Sequence, residues 1–240
     1  MYKTLGIIGG LGPLATAYFY RQITDMTAVK RDQDHIEILI HSAPSIPDRT
    51  SFILGKSKES PLPRMIEIGK ELAGAGADLI SIPCITAHYF HSELTEAIPV
   101  PIMNLPAEAA KYVHERGIKN VGIMATDGTI TSRLFQDRLE ELGMRAIIPS
   151  SERQADVMHI IYDDIKVGKS AEPKVLERIK DELFSAGAEV IILGCTELSI
   201  LKRDNMTGAG FLDAMEVLAL RSIEECGAPV KPEYRELITK

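Results

Sequence analysis

Short runs of β-branched and aliphatic residues alternate along the chain with longer segments whose apolar positions recur at helical spacing. A strand buried on both faces reads as a continuous apolar run, and parallel neighbours need a crossover helix between them. The pattern therefore predicts an α/β fold with strands over 4–8, 36–41, 79–82, 102–103, 121–125, 145–148 and 190–193. Helices are predicted over 13–30, 63–75, 89–97, 107–116, 132–142, 155–167, 173–186 and 211–226. Several open on a proline or a small polar cap, as at Pro13, Pro63 and Ser132.

The pattern occurs twice. Ala75-Gly76-Ala77-Asp78-Leu79-Ile80-Ser81-Ile82-Pro83-Cys84 aligns without a gap on Ala186-Gly187-Ala188-Glu189-Val190-Ile191-Ile192-Leu193-Gly194-Cys195, at an offset of 111. Thr86 stands near the first cysteine and Thr196 beside the second. A weaker match, at an offset of 116, sets Leu5-Gly6-Ile7-Ile8 on Val121-Gly122-Ile123-Met124, with Thr16 and Phe19 matching Ser132 and Phe135. The chain thus reads as two similar α/β units. The first covers 1–103, completed by a C-terminal helix within 211–240 that has no partner in the repeat; the second covers 104–210.

Composition narrows the function classes. Of the 240 residues, 27 are Lys or Arg and 34 are Asp or Glu, so the formal net charge is −7. With no basic run, this balance argues against a nucleic-acid partner. The uncharged stretch 4–20 is broken by Gly6, Gly9, Gly10, Gly12 and Pro13, so neither a membrane span nor a signal peptide is expected. Three cysteines are an odd number in a chain too large to need disulfides, which suits a reducing cytoplasm and leaves each thiol available for chemistry.

Cys84 and Cys195 each follow a predicted buried strand, where open α/β sheets bind ligands. A following helix N-terminus favours a thiolate and is expected to lower each thiol's pKa. If the halves face one another about a pseudo-twofold axis, the two sulfurs reach one cleft from opposite sides. Two bases on opposite faces of one carbon serve inversion of a stereocentre: one removes a proton, the other returns one. Other readings of the same residues stand beside this one. A buried cysteine also serves as a small hydrophobe, which is the role read for Cys226. Cys84-x3-His88 and His91, joined by Cys195, offer zinc ligands, without a recognisable ligand spacing. Gly10-x-Gly12-x-x-Ala15 has the form of a dinucleotide fingerprint, but the second strand ends His41-Ser42-Ala43-Pro44 with no carboxylate. Those glycines instead let a substrate carboxylate approach backbone amides. The loop 51–61 is expected to move over the cleft.

Gly9-Gly10-Leu11-Gly12-Pro13-x-Ala15-Thr16, Ile46-Pro47-Asp48-Arg49-Thr50, Pro83-Cys84-x-Thr86-Ala87-His88 and Leu193-Gly194-Cys195-Thr196-Glu197-Leu198 together resemble the cofactor-independent aspartate/glutamate racemases, the aspartate racemase branch in particular. The resemblance spans the chain in order. It implies two Rossmann-like domains with the site in the cleft between them, a homodimer, an amino-acid substrate, and neither pyridoxal phosphate nor metal. It implies that Cys84 handles the α-proton of the D-enantiomer and Cys195 that of the L-enantiomer. Arg49 would pair with a substrate carboxylate and Lys166 would neutralise carboxylate charge. Gly10, Ile85, Thr86, Thr126, Thr129 and Thr196 would line the cleft, with His88 and Glu197 supporting the two thiols. Two positions depart from the family pattern: Ile85 stands where an Asn is usual, and Leu218 where a His is frequent. These departures favour a larger or less polar amino acid, or a broad range. Maleate isomerase or hydantoin racemase chemistry, or a non-catalytic binding protein on the same fold, are the alternatives.

Overall fold

The computed structural model describes residues 2–204 and 206–240. Met1 and Asn205, which the sequence reading includes in the first and second units, lie outside the described residues. Two parallel sheets form. The first has strands β1 (Leu5–Gly9), β2 (Ile38–Ser42) and β3 (Leu79–Ser81) in the order β2-β1-β3. The second has β4 (Asn120–Ala125), β5 (Arg145–Ile147), β6 (Val190–Gly194) and β7 (Phe211–Asp213) in the order β5-β4-β6-β7. The first three strands of each half therefore share one topology.

The duplication extends to single contacts. Leu5 pairs with Leu79 in the first sheet and Val121 with Val190 in the second, which are the partners that offsets of 116 and 111 demand. A Cβ on Gly6 would meet Ala77, Ile80 and Leu72, and one on Gly122 would meet Ala188, Ile191 and Leu183, the same three places at the offset of 111. Each glycine lets a helix lie close on its strand. The acidic residue before each third strand also repeats its work. Asp78 accepts from the Thr4 amide at 2.7 Å, and Glu189 accepts from the Asn120 amide at 2.9 Å. Both tie the start of one strand to its neighbour.

Three predicted helices differ in the structure. The segment from Phe211 is not helical at its start: residues 211–213 are strand β7, paired with β6, and the helix is Ala214–Glu225. Of the predicted helix 132–142 only Gln136–Glu141 is α-helical; a separate short helix, Asp127–Thr131, precedes it, and between them the chain turns through a left-handed conformation at Arg133, φ 56°. Helix 155–167 is Ser151–His159, followed by a π-turn over Ile160–Asp164 and a short 3-10 turn, Ile165–Val167. The pair 102–103 contributes only a bridge from Ile102 to Ile80.

Helix Ala214–Glu225 is apolar on most of its circumference because it is covered on several sides: it packs on helix Pro13–Met26 of the first half and helix Leu105–His114 of the second. Around it one core joins Leu5 and Ile7 to Val121, Ile123 and Leu212. Each half keeps a separate outer core, around Ile80 and Met65 in the first and Ile191 and Ile179 in the second. This shared core fixes the two sheets against one another and sets their strand ends on a common cleft.

Candidate active site

Cys84 and Cys195 line one chamber between the halves. Each sits just past its strand, and each cysteine carbonyl accepts the amide of the residue three ahead, Ala87 at 3.2 Å and Leu198 at 2.9 Å. The chamber is small, about 10 Å³, roughly the space of one water. It leads to an open vestibule of about 450 Å³. Leu11, Asp48, Arg49, Lys166, Thr196 and Glu197 line both spaces and form the neck between them.

The two thiols have opposite surroundings. Cys195 Sγ donates to Glu197 Oε2 at 2.9 Å, and Glu197 is itself buried. Burial, and then the Glu197 carboxylate, push the Cys195 thiol well above its ordinary value, although Lys166 pulls the other way. For Cys195 this corrects the expectation of a lowered pKa: the residues after it form a turn, with the next helix starting only at Ser199, and burial beside a carboxylate dominates. Cys84 lies instead against the Arg49 guanidinium. Burial works against the charge of Arg49, but Cys84, Asp48 and Glu197 outweigh it and raise its pKa further.

Arg49 is buried and holds the chain around it. Nη2 donates to the Leu11 carbonyl at 2.9 Å, and Nη1 to the carbonyls of Pro47 and Ile46 at 3.1 and 3.4 Å. Its Nε has no hydrogen-bond partner. One donor edge is therefore left for a ligand while the rest is structural. Lys166 stands at the neck, exposed as a residue but with its ammonium turned inward, Nζ 4.0 Å from the centroid of the Tyr162 ring. Burial of its ammonium lowers its pKa, but Glu197 and Cys195 raise it more, and the balance is upward.

Opposite the neck, hydroxyls close the chamber across the two halves. Thr86 of the first half lies 3.1 Å from Thr126 and 3.0 Å from Thr129 of the second, and those two lie 3.1 Å apart. Three hydroxyl protons serve three oxygen pairs, so the ring is satisfied without water. Thr50 donates to Thr126 at 3.4 Å. A Cβ on Gly128 would lie 3.1 Å from the Thr50 backbone and 3.2 Å from Thr86, so glycine permits the close approach of the halves.

The family model described as Asp/Glu/Hydantoin racemase matches residues 8–221. The chain belongs to this racemase family. Aspartate racemase of Picrophilus torridus is a solved relative with 30% identity and a TM-score of 0.85, covering 97% of this chain and 98% of its own. An aspartate racemase homologue from Pyrococcus horikoshii has 26% identity and a TM-score of 0.77, covering 95% and 100%. The broad specificity amino-acid racemase of Bacillus subtilis is 25% identical over 91% of this chain and 96% of its own length.

Within this racemase-family fold, the expected site residues separate into three groups. Cys84, Cys195, Arg49, Ile85, Thr86, Thr126, Lys166 and Thr196 line the chamber, as does Glu197. Thr129 and His88 stand behind it. Thr129 completes the hydroxyl ring, and His88 Nδ1 lies 3.0 Å from the Cys84 carbonyl while Nε2 lies 3.2 Å from that of Met103. Burial holds the His88 imidazole down at about 4, with His91 adding to the shift.

Gly10 lines only the vestibule, and its amide already donates to the Thr16 hydroxyl at 2.9 Å, so it is not free for a substrate carboxylate. Its positive φ of 89° and a would-be Cβ only 2.4 Å from the Ala43 amide explain the glycine without a ligand. Leu218 is fully buried in the shared core, so this departure from the family pattern lies away from both spaces. Neither space is lined by residues 51–61. Among the described residues, no group of three or more His, Cys, Asp or Glu is placed to hold a metal ion. No described helix is long and apolar enough to cross a membrane.

Sequence reasoning missed four chamber residues: Asp48, Thr50, Leu11 and Tyr162. The first two flank Arg49 in the quoted motif. Tyr162 stands four residues before Lys166 within the π-turn, a backbone irregularity common at functional sites.

Proposed function

We propose that this protein racemises an α-amino acid by proton transfer between two cysteines and the α-carbon. One observation carries the reading: two cysteines at duplicated positions, one from each half, line a single chamber. For a D-substrate, the Cys84 thiolate takes the α-proton and forms an S–H bond as the C–H bond breaks. Cys195, which holds its proton strongly, gives that proton to the opposite face of the carbanion. The product is the L-enantiomer, with Cys84 protonated and Cys195 ionised. The L-substrate runs the same steps in reverse, and Glu197, in contact with Cys195 Sγ, is placed to exchange the proton that resets the pair.

The unpartnered Nε edge of Arg49 and the ammonium of Lys166 receive the substrate's α-carboxylate. All of the proton chemistry falls to thiols and carboxylates, so the scheme calls on no pyridoxal phosphate. Aspartate, glutamate or a broad range of amino acids form the first panel, by the motif resemblance and the named relatives. The three free thiols suit a reducing cytoplasm, and a homodimer is the assembly the resemblance favours.

The test is solvent exchange at Cα in deuterated buffer with purified protein. Inversion accompanied by deuterium incorporation is expected for the parent, and loss of inversion in both Cys84→Ala and Cys195→Ala. Full inversion in either variant excludes the two-thiol scheme.

A further inference from the structure

The neck between chamber and vestibule carries two cations and two carboxylates: Arg49 and Lys166 against Asp48 and Glu197. Asp48 is held below the ordinary carboxylate range: burial pushes it up, but the Ser51 amide and hydroxyl together with Arg49 and Lys166 outweigh that. The four formal charges cancel. An α-amino acid headgroup is itself one carboxylate and one ammonium, so its charges are met in full by this set. A side-chain carboxylate brings one more negative charge. Among the described lining residues there is no third Lys or Arg to receive it. The one thiolate that the scheme keeps on the cysteine pair throughout adds its negative charge beside the same group.

Beyond the polar residues of the neck, the side chains that face the vestibule are apolar. The vestibule is walled by Leu11, Leu14, Pro44, Ile46, Ile165 and Ile200. On the chamber side Ile85, 2% exposed, adds an aliphatic wall that offers no hydrogen bond. A chamber of about 10 Å³ opening into a vestibule of about 450 Å³ leaves only the outer space for a large side chain.

We propose, resting on the racemase reading above, that the substrate is an α-amino acid with an uncharged, apolar side chain. The headgroup is held at the neck with Cα between the sulfurs, and the aliphatic, thioether or aromatic side chain lies in the vestibule. Selectivity then comes from the vestibule walls, with Leu14 exposed at the rim.

Cα deuteration is measured with both enantiomers of leucine, methionine, phenylalanine, aspartate and glutamate. The best apolar substrate is expected to exceed both acidic ones in kcat/KM by about tenfold or more. Aspartate or glutamate at or above the apolar amino acids overturns the proposal while leaving the racemase reading intact. Leu14→Arg supplies the missing third cation at an exposed position that tolerates it. It is expected to lower the ratio of apolar to acidic turnover by about tenfold, and an unmoved ratio counts against the charge argument. Exchange with no amino acid removes the racemase reading itself. Calorimetric titration then reads the side-chain assignment alone: leucine bound more tightly than aspartate supports it, and the reverse order, or no binding of either, overturns it.

Discussion

Cys195 Sγ donates to Oε2 of Glu197 across 2.9 Å, whereas its counterpart Cys84 lies against the guanidinium of Arg49. The duplicated backbone thus presents two equivalent sulfurs to groups of opposite charge. The halves repeat in strand register and glycine packing, and differ in what touches the thiols.

Glu197→Gln keeps an acceptor for the Cys195 proton and removes the negative charge. Cys195 then ionises at lower pH, because one of the two influences that raise it, the neighbouring negative charge, is gone while burial stays. Ultraviolet thiolate absorbance followed against pH, in a background lacking Cys84 and Cys226, reads this directly. A titration that stays in place would assign the whole effect to burial.

Arg49→Lys keeps the charge and loses the fork. An ammonium cannot hold the carbonyls of Leu11, Pro47 and Ile46 together while also facing Cys84. The variant is expected to lose about 1–3 kcal/mol of stability, because buried carbonyls lose their donors, along with most of its turnover. Urea unfolding and the exchange assay measure the two losses. Parent-like values in both would mean that the guanidinium geometry is dispensable.

Gly128→Val places a Cβ bearing two methyl groups against Thr50 and Thr86, where even a Cβ is tight. The halves are forced apart at the hydroxyl ring, at an overpacking cost of about 1–3 kcal/mol. Turnover is expected to fall by more than the melting temperature implies, because the strain lands at the chamber. Thr86→Val in the same background should then cost less than in the parent, since its ring is already broken. Strict additivity of the two changes would rule out that coupling.

His88 links stability to acid. Its folded pKa, about 4 against an ordinary 6.5, means that the unfolded chain binds a proton between these values while the folded chain does not. Stability therefore falls as pH drops through that window, by about 3 kcal/mol in all. Glu216 acts in the opposite sense. Burial, then Asp213, raise it from 4.5 to about 7, so its contribution is full below pH 4.5 and is lost as pH rises through about 7. His88→Gln isolates the first effect, since the Glu216 contribution cancels between parent and variant. Chemical denaturation at a series of pH values should show a shallower acid loss in the variant, and identical slopes would refute the assignment.

Much of this architecture is readable from local pattern, because fully buried parallel strands have to be continuous apolar runs. The repeat also locates both cysteines, since Asp78 and Glu189 mark equivalent strand starts. Strand β7 escapes such a reading because Phe211, Leu212 and Asp213 ahead of a helical period look like its first turn; only pairing with β6 makes Phe211–Asp213 a strand. The environment of Cys195 escapes for a related reason. Backbone dipoles are local and legible, but the cost of burying a thiol beside Glu197 depends on the opposite half closing over it. Asp48, Thr50 and Tyr162 reach the chamber only through tertiary packing, and their spacing carries no signature of its own.

The unlike neighbours of the two sulfurs have a thermodynamic limit. Mirror-image amino acids have equal free energies in water, so their interconversion has an equilibrium constant of one whatever the catalyst. A carboxylate beside one sulfur and a guanidinium beside the other can therefore redistribute kcat and KM between the two directions. They cannot make the ratio kcat/KM differ between the enantiomers, and this protein can only drive a mixture toward equal parts.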